Sequence, residues 1–364
     1  MGFAPSSIAV VLGTRPEIVK LGHLIGLLGD SAAILHTGQH YDSTLSAAFF
    51  EAFGLPEPYA VLGIGGESRG RQMGRVTAEV DALLRDLRPR AVVVQGDTNS
   101  AAGGAIAANA TETPLVHVES GLRSFDRRMP EEHNRVIADH LADLCLAPTE
   151  NNRANLLAEG IPDERIVVTG NTVVEALHSL LPDPSTRHEL LARYGVDPNG
   201  FVLSTFHRPE NVDDPATLRA VLEQLAGLEA PVVLPLHPRT RDRLDDAPVP
   251  IAERLTIVDP VGYPEFLGLA AESAMLISDS GGVQEEASVL KRPVLVVRRS
   301  TERPEVLGTF AVRVDPGPAI GEQASAWLKD IDAVHERLAG IPSPYGDGTA
   351  SERSLAAIRT LVDG

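Results

Sequence analysis

The chain has 364 residues, 43% of them hydrophobic and 23% charged, the composition of a globular protein with more than one ~100–150-residue domain. Its 32 basic and 50 acidic residues leave a formal net charge of −18, which excludes an electrostatic grip on nucleic acid or an anionic membrane. A single cysteine, Cys145, excludes an intramolecular disulfide and a Cys-rich zinc site, and no apolar run approaches the ~20 residues that span a bilayer. The first residues, Met1-Gly2-Phe3-Ala4-Pro5, lack the basic and apolar regions of a signal peptide, so a cytoplasmic location is expected.

Apolar, β-branched runs recur at 8–12, 32–35, 91–94, 115–118, 144–146 and 166–168. A second series follows at 201–204, 232–236, 255–258, 275–277, 293–297 and 311–314. Helical-period segments separate nearly all of them. This is βαβ alternation with buried parallel strands, carried out twice: an α/β protein of two doubly wound domains. The expected boundary puts residues 1–171 in the first domain and 172–345 in the second, with a last helix within 346–364. Ligand is expected in a cleft at the carboxyl ends of the strands.

The first strand runs into Gly13-Thr14-Arg15-Pro16-Glu17, where proline starts a helix whose free N–H groups favour an anion. Arg15 and Lys20 stand on its first turns; ordinary capping with solvated charges explains the segment equally well. It is neither G-x-G-x-x-G nor a Walker A loop, so neither a nicotinamide cofactor nor a P-loop follows. Three acids stand at strand or helix ends: Asp97 after a β-branched run, Glu119 after Val116-His117-Val118, and Glu131 after Pro130. Asp97 can be an N-cap and Glu131 a favourable charge in a first helical turn. Glu119 gains nothing obvious from ending an apolar strand. Three acids at such ends suggest proton transfer.

In the second half His207-Arg208 and His237-Pro238-Arg239 each end a strand. The first pair suits a diphosphate, or else is a satisfied histidine beside a surface arginine. Ser278-Asp279-Ser280-Gly281-Gly282-Val283-Gln284-Glu285-Glu286 is more specific: Gly281 and Gly282 let backbone amides approach a phosphate at a helix N-terminus. Glu286 lies a turn and a half inside, suited to the two hydroxyls of a ribose. No residue pattern calls for a metal or a cofactor.

Together these stretches resemble the non-hydrolysing UDP-N-acetylglucosamine 2-epimerases, a family with two facing Rossmann-like domains of the GT-B type. Thr37-Gly38-Gln39-His40, Gln95-Gly96-Asp97-Thr98, Pro130-Glu131-Glu132-His133-Asn134-Arg135, Thr169-Gly170-Asn171-Thr172 and Thr301-Glu302-Arg303-Pro304-Glu305 extend the match over almost the whole chain. The resemblance implies acid/base roles for Asp97, Glu119 and Glu131 and a diphosphate role for His207 and Arg15, with Lys20 nearby. It implies a β-phosphate loop at Ser280, Gly281 and Gly282, a ribose acceptor at Glu286 and a uracil neighbour at Phe266. Arg135, Asn171, His237 and Arg303 complete the implied substrate contacts. The implied chemistry is anti elimination of UDP to 2-acetamidoglucal and re-addition to give the manno epimer, without a cofactor. A homodimer, a UDP-binding second domain and a last helix packed back on the first domain are also implied. Asp42 stands where many bacterial members carry a glutamine for an activating UDP-sugar. The Arg123–Met129 segment resembles archaeal-type members and relatives acting on UDP-2,3-diacetamido-glucuronic acid. A GT-B glycosyltransferase and a catalytically silent nucleotide-sugar sensor are the more distant alternatives.

Overall fold

A computed structural model describes residues 7–39, 49–236, 238–244 and 253–364. Contacts divide the chain into two compact units: Met1–Ala176 with Tyr345–Gly364, and Leu177–Pro344. Both are α/β with wholly parallel sheets.

In the first unit the strands are β1 (Ile8–Leu12), β2 (Ala32–His36), β3 (Ala60–Val61), β4 (Ala91–Gln95), β5 (Leu115–Val118), β6 (Leu144–Ala147) and β7 (Ile166–Val168). Their spatial order is β3-β2-β1-β4-β5-β6-β7. The chain therefore winds outward from β1 through β2 to β3, then returns to β4 on the other side of β1. Ile8–Leu12, Ala32–His36, Ala91–Gln95, Leu115–Val118 and Leu144–Ala147 are buried throughout, as parallel strands covered on both faces by helices must be. The two-residue edge strand β3 lies in the stretch Tyr59-Ala60-Val61-Leu62, which is not among the runs counted as strands in the sequence.

The second unit repeats the plan with β8 (Val202–Thr205), β9 (Val232–Pro235), β10 (Leu255–Val258), β11 (Met275–Ser278), β12 (Val294–Val297) and β13 (Ala311–Val314). Their order is β10-β9-β8-β11-β12-β13, with the reversal between β8 and β11. Its core gathers Phe206, Leu222, Leu234, Ile277, Leu295 and Ile320. The last helix, Ala350–Asp363, packs against the Arg15–Leu28 helix of the first unit. Two hydrogen bonds anchor its approach: Asn171 N donates to the Tyr345 carbonyl (2.8 Å) and Ser351 N to Glu175 Oε1 (2.7 Å). Among the described residues, no helix is long and apolar enough to cross a membrane.

Below the carboxyl edge of the first sheet lies a buried charge network. His117 on β5 presents Nδ1 to Asp139 Oδ1 (2.6 Å) and Nε2 to the Gly96 carbonyl (2.9 Å). Asp139 Oδ2 pairs with Arg123 (2.7 Å) and accepts from Gly121 N (3.2 Å). Burial alone would raise the Asp139 carboxyl, but His117 and Arg123 hold it below the usual carboxylate range. Cys145 is buried beside this network, and burial, with Asp139 adding to it, pushes its thiol up to about 12. It behaves as the small inert hydrophobe its apolar surroundings suggest.

Gly121 takes φ +82°, and a Cβ there would lie 2.4 Å from the Asn152 carbonyl oxygen. Gly121→Ala combines a left-handed backbone with a backbone clash, so it should cost about 2–4 kcal/mol. Urea unfolding checks this; a loss below half a kcal/mol would mean the turn relaxes freely.

Candidate active site

At the carboxyl edge of the first sheet, β1 ends in Gly13–Thr14 and the helix Arg15–Leu28 follows. Thr14 and Glu17 form a capping box with proline in the first turn, which fixes the helix start where the sequence placed it. Arg15 is exposed there, and its side chain has no partner among the described residues. Lys20, one turn on, is buried and donates to Glu119 Oε1 at 2.7 Å.

Glu119 directly follows β5 with φ +67°, a left-handed conformation that costs a non-glycine residue about 1–2 kcal/mol. Gln95, the last residue of β4, donates its side-chain amide to the second carboxylate oxygen. Glu119 is thus a buried carboxylate, 7% exposed, held by one ammonium and one amide. Asp97 lies two residues beyond Gln95, after Gly96 at φ +68°. Its Oδ2 accepts from Arg135 (2.5 Å), and Asn134 Nδ2 donates to its backbone carbonyl (2.8 Å). Thr98, not Asp97, caps the following helix, accepting from Ala101 N at 3.0 Å.

Arg135 and Asn134 belong to the helix Pro130–Leu141, whose second residue is Glu131. Glu131 is half-buried and its carboxylate makes no hydrogen bond or ion pair among the described residues. Its neighbour Glu132 is engaged: it accepts from Ser124 N (3.0 Å) and Phe125 N (2.8 Å) and pairs with Arg135 (2.6 Å). The structure therefore brings Asp97, Glu119 and Glu131 to one edge of one sheet, through β4, β5 and the helix that carries Arg135. Lys20 and Arg135, read from the sequence as substrate contacts, are occupied with two of those acids. Asn171 is buried at the end of the same sheet, its Oδ1 accepting from Val173 N (3.0 Å) to start the next helix.

The second unit presents a separate face. His207 follows β8, and its Nδ1 lies 3.2 Å from Oδ1 of the fully buried Asp279. Asp279 also accepts from His207 N (3.1 Å), Arg208 N (2.9 Å) and Asn211 Nδ2 (3.0 Å). Ser280 is the N-cap of the helix Gly281–Leu290 without a side-chain cap bond, so N–H groups of its first turn keep no helical acceptor. A Cβ on Gly281 would lie 2.6 Å from Arg303 Nη1 and 2.7 Å from Glu302 Oε1, so a side chain there must displace the Arg303–Glu302 pair. At Gly282 a Cβ would meet only Glu286 Oε1, at an ordinary 3.7 Å. Arg303 is spent on Glu285 (2.7 Å) and Glu302. Glu286 accepts from Tyr263 Oη at 2.8 Å. Burial first, then Glu286, pushes the Tyr263 phenol well above its ordinary value, so it stays a donor. Phe266 stands three residues along the same helix, Tyr263–Glu272. His237 lies outside the described residues, as do His40 and Asp42. Among the described residues no cluster of three or more His, Cys, Asp or Glu side chains could hold a metal.

Sequence reasoning missed Gln95, Tyr263 and the bridging role of Asp279, which only tertiary contact reveals. It also passed over Glu17, whose spacing from Thr14 is a readable capping-box signature. Glu17 is 1% exposed, and burial raises its carboxyl from 4.5 to about 7 against the pull of its hydrogen bonds. A native pKa above the unfolded one means the folded state binds more protons between those values. Stability owed to this group is therefore fullest below about pH 4.5 and lost as pH rises through about 7. Glu17→Gln removes that dependence, so its Tm relative to wild type should climb from about pH 5 to about pH 8. A constant difference in thermal scans would mean that Glu17 titrates at its ordinary value.

The model of the family described as UDP-N-acetylglucosamine 2-epimerase matches residues 30–359. The UDP-N-acetylglucosamine 2-epimerase of Methanocaldococcus jannaschii is 38% identical over 95% of this chain and 97% of its own. The UDP-2,3-diacetamido-2,3-dideoxy-D-glucuronate 2-epimerase of Pseudomonas aeruginosa is 37% identical over 95% and 97%. The M. jannaschii crystal structure in complex with UDP-GlcNAc and UDP superposes with a TM-score of 0.84 at 37% identity, covering 98% of this chain and all of that one. The Neisseria meningitidis UDP-GlcNAc 2-epimerase bound to UDP-GlcNAc gives 0.88 at 29% identity, covering 98% and 100%.

Proposed function

The chain belongs to the UDP-N-acetylglucosamine 2-epimerase family, and from that premise we propose that it interconverts UDP-N-acetylglucosamine and UDP-N-acetylmannosamine. The observation that carries the reading is the gathering of Asp97, Glu119 and Glu131 at one sheet edge. The C2 hydrogen of the sugar has no adjacent carbonyl to acidify it. A positioned carboxylate must take that proton while the C–H electron pair forms the C1=C2 bond and the C1–O bond breaks toward UDP. In the return step a diphosphate oxygen attacks C1 and a carboxylic acid delivers a proton to the opposite face of C2. Two faces require two acid/base groups, and a third acid leaves one to orient the sugar. Each such proton transfer is worth ~10²–10⁴-fold in rate.

The departing diphosphate carries the charge that the transition state develops, so its stabilisation supplies much of the remaining rate. His207, oriented by Asp279, and the N–H groups at Ser280–Gly282 suit that charge. Packing leaves Gly282 free to be any small residue, and close backbone approach by a phosphate is the reason for glycine there. Arg15 adds a cation at a helix start. Glu286 accepts the ribose hydroxyls, and Phe266 lies along uracil. Lys20 and Arg135 act by holding Glu119 and Asp97 in place. Arg303 sets the glycine-rich turn through Glu285 and Glu302. Asn171 orders the carboxyl edge from its far end. The same reading carries a homodimer working in the cytoplasm.

A diacetamido-glucuronate substrate is the second reading, because that relative is as similar to this chain as the N-acetylglucosamine enzyme. Turnover measured on both UDP-sugars separates the two. Asp97→Asn, Glu119→Gln and Glu131→Gln should each lower kcat by ~10²-fold or more while leaving UDP affinity nearly unchanged. Near-normal turnover in all three would reduce these acids to helix caps and surface charges. Glu286→Ala should weaken UDP by ~1.5–3 kcal/mol, the range for hydrogen bonds to a charged group. Calorimetry with unchanged affinity would remove Glu286 from the nucleotide site.

A further inference from the structure

The first sheet reverses its strand order between β1 and β4, and open α/β sheets bind ligands beside such a reversal. The turns that leave these strands, Gly13–Thr14 and Gly96–Thr98, diverge there and need a tie that the sheet itself cannot supply. Glu17 spans them. Its Oε2 accepts from Gly13 N (3.0 Å), Thr14 N (2.8 Å) and Thr14 Oγ1 (2.8 Å). Its Oε1 accepts from Thr98 Oγ1 at 2.8 Å. Thr98 Oγ1 already accepts from Ala101 N, so its one hydrogen is committed to Glu17.

A capping box is served equally by glutamine, which carries no charge into the interior. No cation pairs with Glu17 among the described residues, so the chain buries a carboxyl at this position with hydrogen bonds alone to offset it. Helix capping alone does not account for that cost. We propose that Glu17 is a positioning residue for the reaction, its carboxylate locking the turn that carries Asp97 to the turn that carries Arg15 across the switch point of the first sheet. The second unit supports the same logic independently. There Asp279, at the end of β11, bonds the backbone N–H groups of His207 and Arg208 beyond β8, across that sheet's own reversal. The inference rests on the reading of Asp97 as a proton-handling group.

In Glu17→Gln the amide oxygen must face Gly13 N and Thr14 N, because the reverse orientation sets donor against donor. The NH₂ group can then donate to the second lone pair of Thr98 Oγ1, while the Thr98 hydrogen loses its acceptor. The cap survives, the bridge is reversed and loses its charge-assisted hydrogen bond, and the buried charge is gone. We expect kcat to fall at least ~tenfold, since small misplacements of catalytic groups cost up to ~10²-fold. KM should stay within about twofold, and Tm near pH 8 should equal or exceed that of wild type. Thr98→Ser, which keeps the hydroxyl, should retain most of kcat, whereas Thr98→Val should lose it to the same degree as Glu17→Gln. Wild-type kcat in Glu17→Gln, or in Thr98→Val, overturns the inference, as does a kcat loss in Glu17→Gln matched by a fall in Tm. Asp97→Asn separates the two levels: if it stays slow while Glu17→Gln is normal, only the positioning role falls. Should Asp97→Asn be normal too, the reading of the site itself falls.

Discussion

In each unit one buried acid crosses the place where the sheet reverses its strand order and joins the turns that carry Arg15 and Asp97 in the first unit and His207 in the second. Glu17 ties the ends of β1 and β4; Asp279 ties the ends of β8 and β11. A carboxylate fits this task because it only accepts, and the groups to be gathered are N–H and O–H donors left over at strand ends and helix starts. The cost is a buried charge held by hydrogen bonds but by no cation among the described residues, visible in the raised Glu17 carboxyl. Holding two diverging turns in register justifies that cost at a site whose chemistry tolerates little misplacement.

Charge is distributed in layers around these turns. At the carboxyl edge of the first sheet, Glu119 is matched by Lys20 and Asp97 by Arg135, while Glu131 keeps no partner among the described residues. Beneath them the His117–Asp139–Arg123 chain fixes the Gly96 carbonyl and the Gly121 amide, one on either side of Glu119 along the edge. Breaking a buried pair by removing one partner typically costs 3–5 kcal/mol. The left-handed backbone of Glu119 is held in this frame, and strain of that kind persists only where the surroundings over-determine it. The net charge of −18 therefore says little about the site, where the arginines are shared between acids: Arg135 serves Asp97 and Glu132, and Arg303 serves Glu285 and Glu302.

Much of this was legible in the sequence because buried parallel strands must be continuous apolar runs. Twelve such runs locate twelve of the thirteen strands; Ala60–Val61, in the short stretch Tyr59–Leu62, goes uncounted, and with Val61 exposed at an edge it is no buried strand. Asp97, Glu119 and Glu131 were legible because strand ends and helix starts are where a parallel sheet exposes chemistry. Their partners were not. Lys20 sits one turn into a helix that begins at an anion-friendly terminus, so the sequence placed it near a diphosphate. Only the fold shows that residue 119 lies within 2.7 Å of it. The acids beside Arg135 and Arg303 are likewise visible only in the fold, since Asp97 is far from Arg135 in the chain and Glu285 far from Arg303. The Tyr263–Glu286 bond joins two helices twenty-three residues apart and leaves no local trace.

The proposed epimerisation requires proton exchange at C2, with UDP leaving and returning at C1. The most direct test follows the reaction by NMR in D2O, starting from UDP-N-acetylglucosamine. Each productive turnover makes C2 trigonal and re-protonates it from a carboxyl group that has equilibrated with solvent. The manno product should carry deuterium at C2, and the remaining substrate should acquire it as the reverse reaction proceeds. Product formed with protium retained at C2 would contradict the mechanism and the roles assigned to Asp97, Glu119 and Glu131.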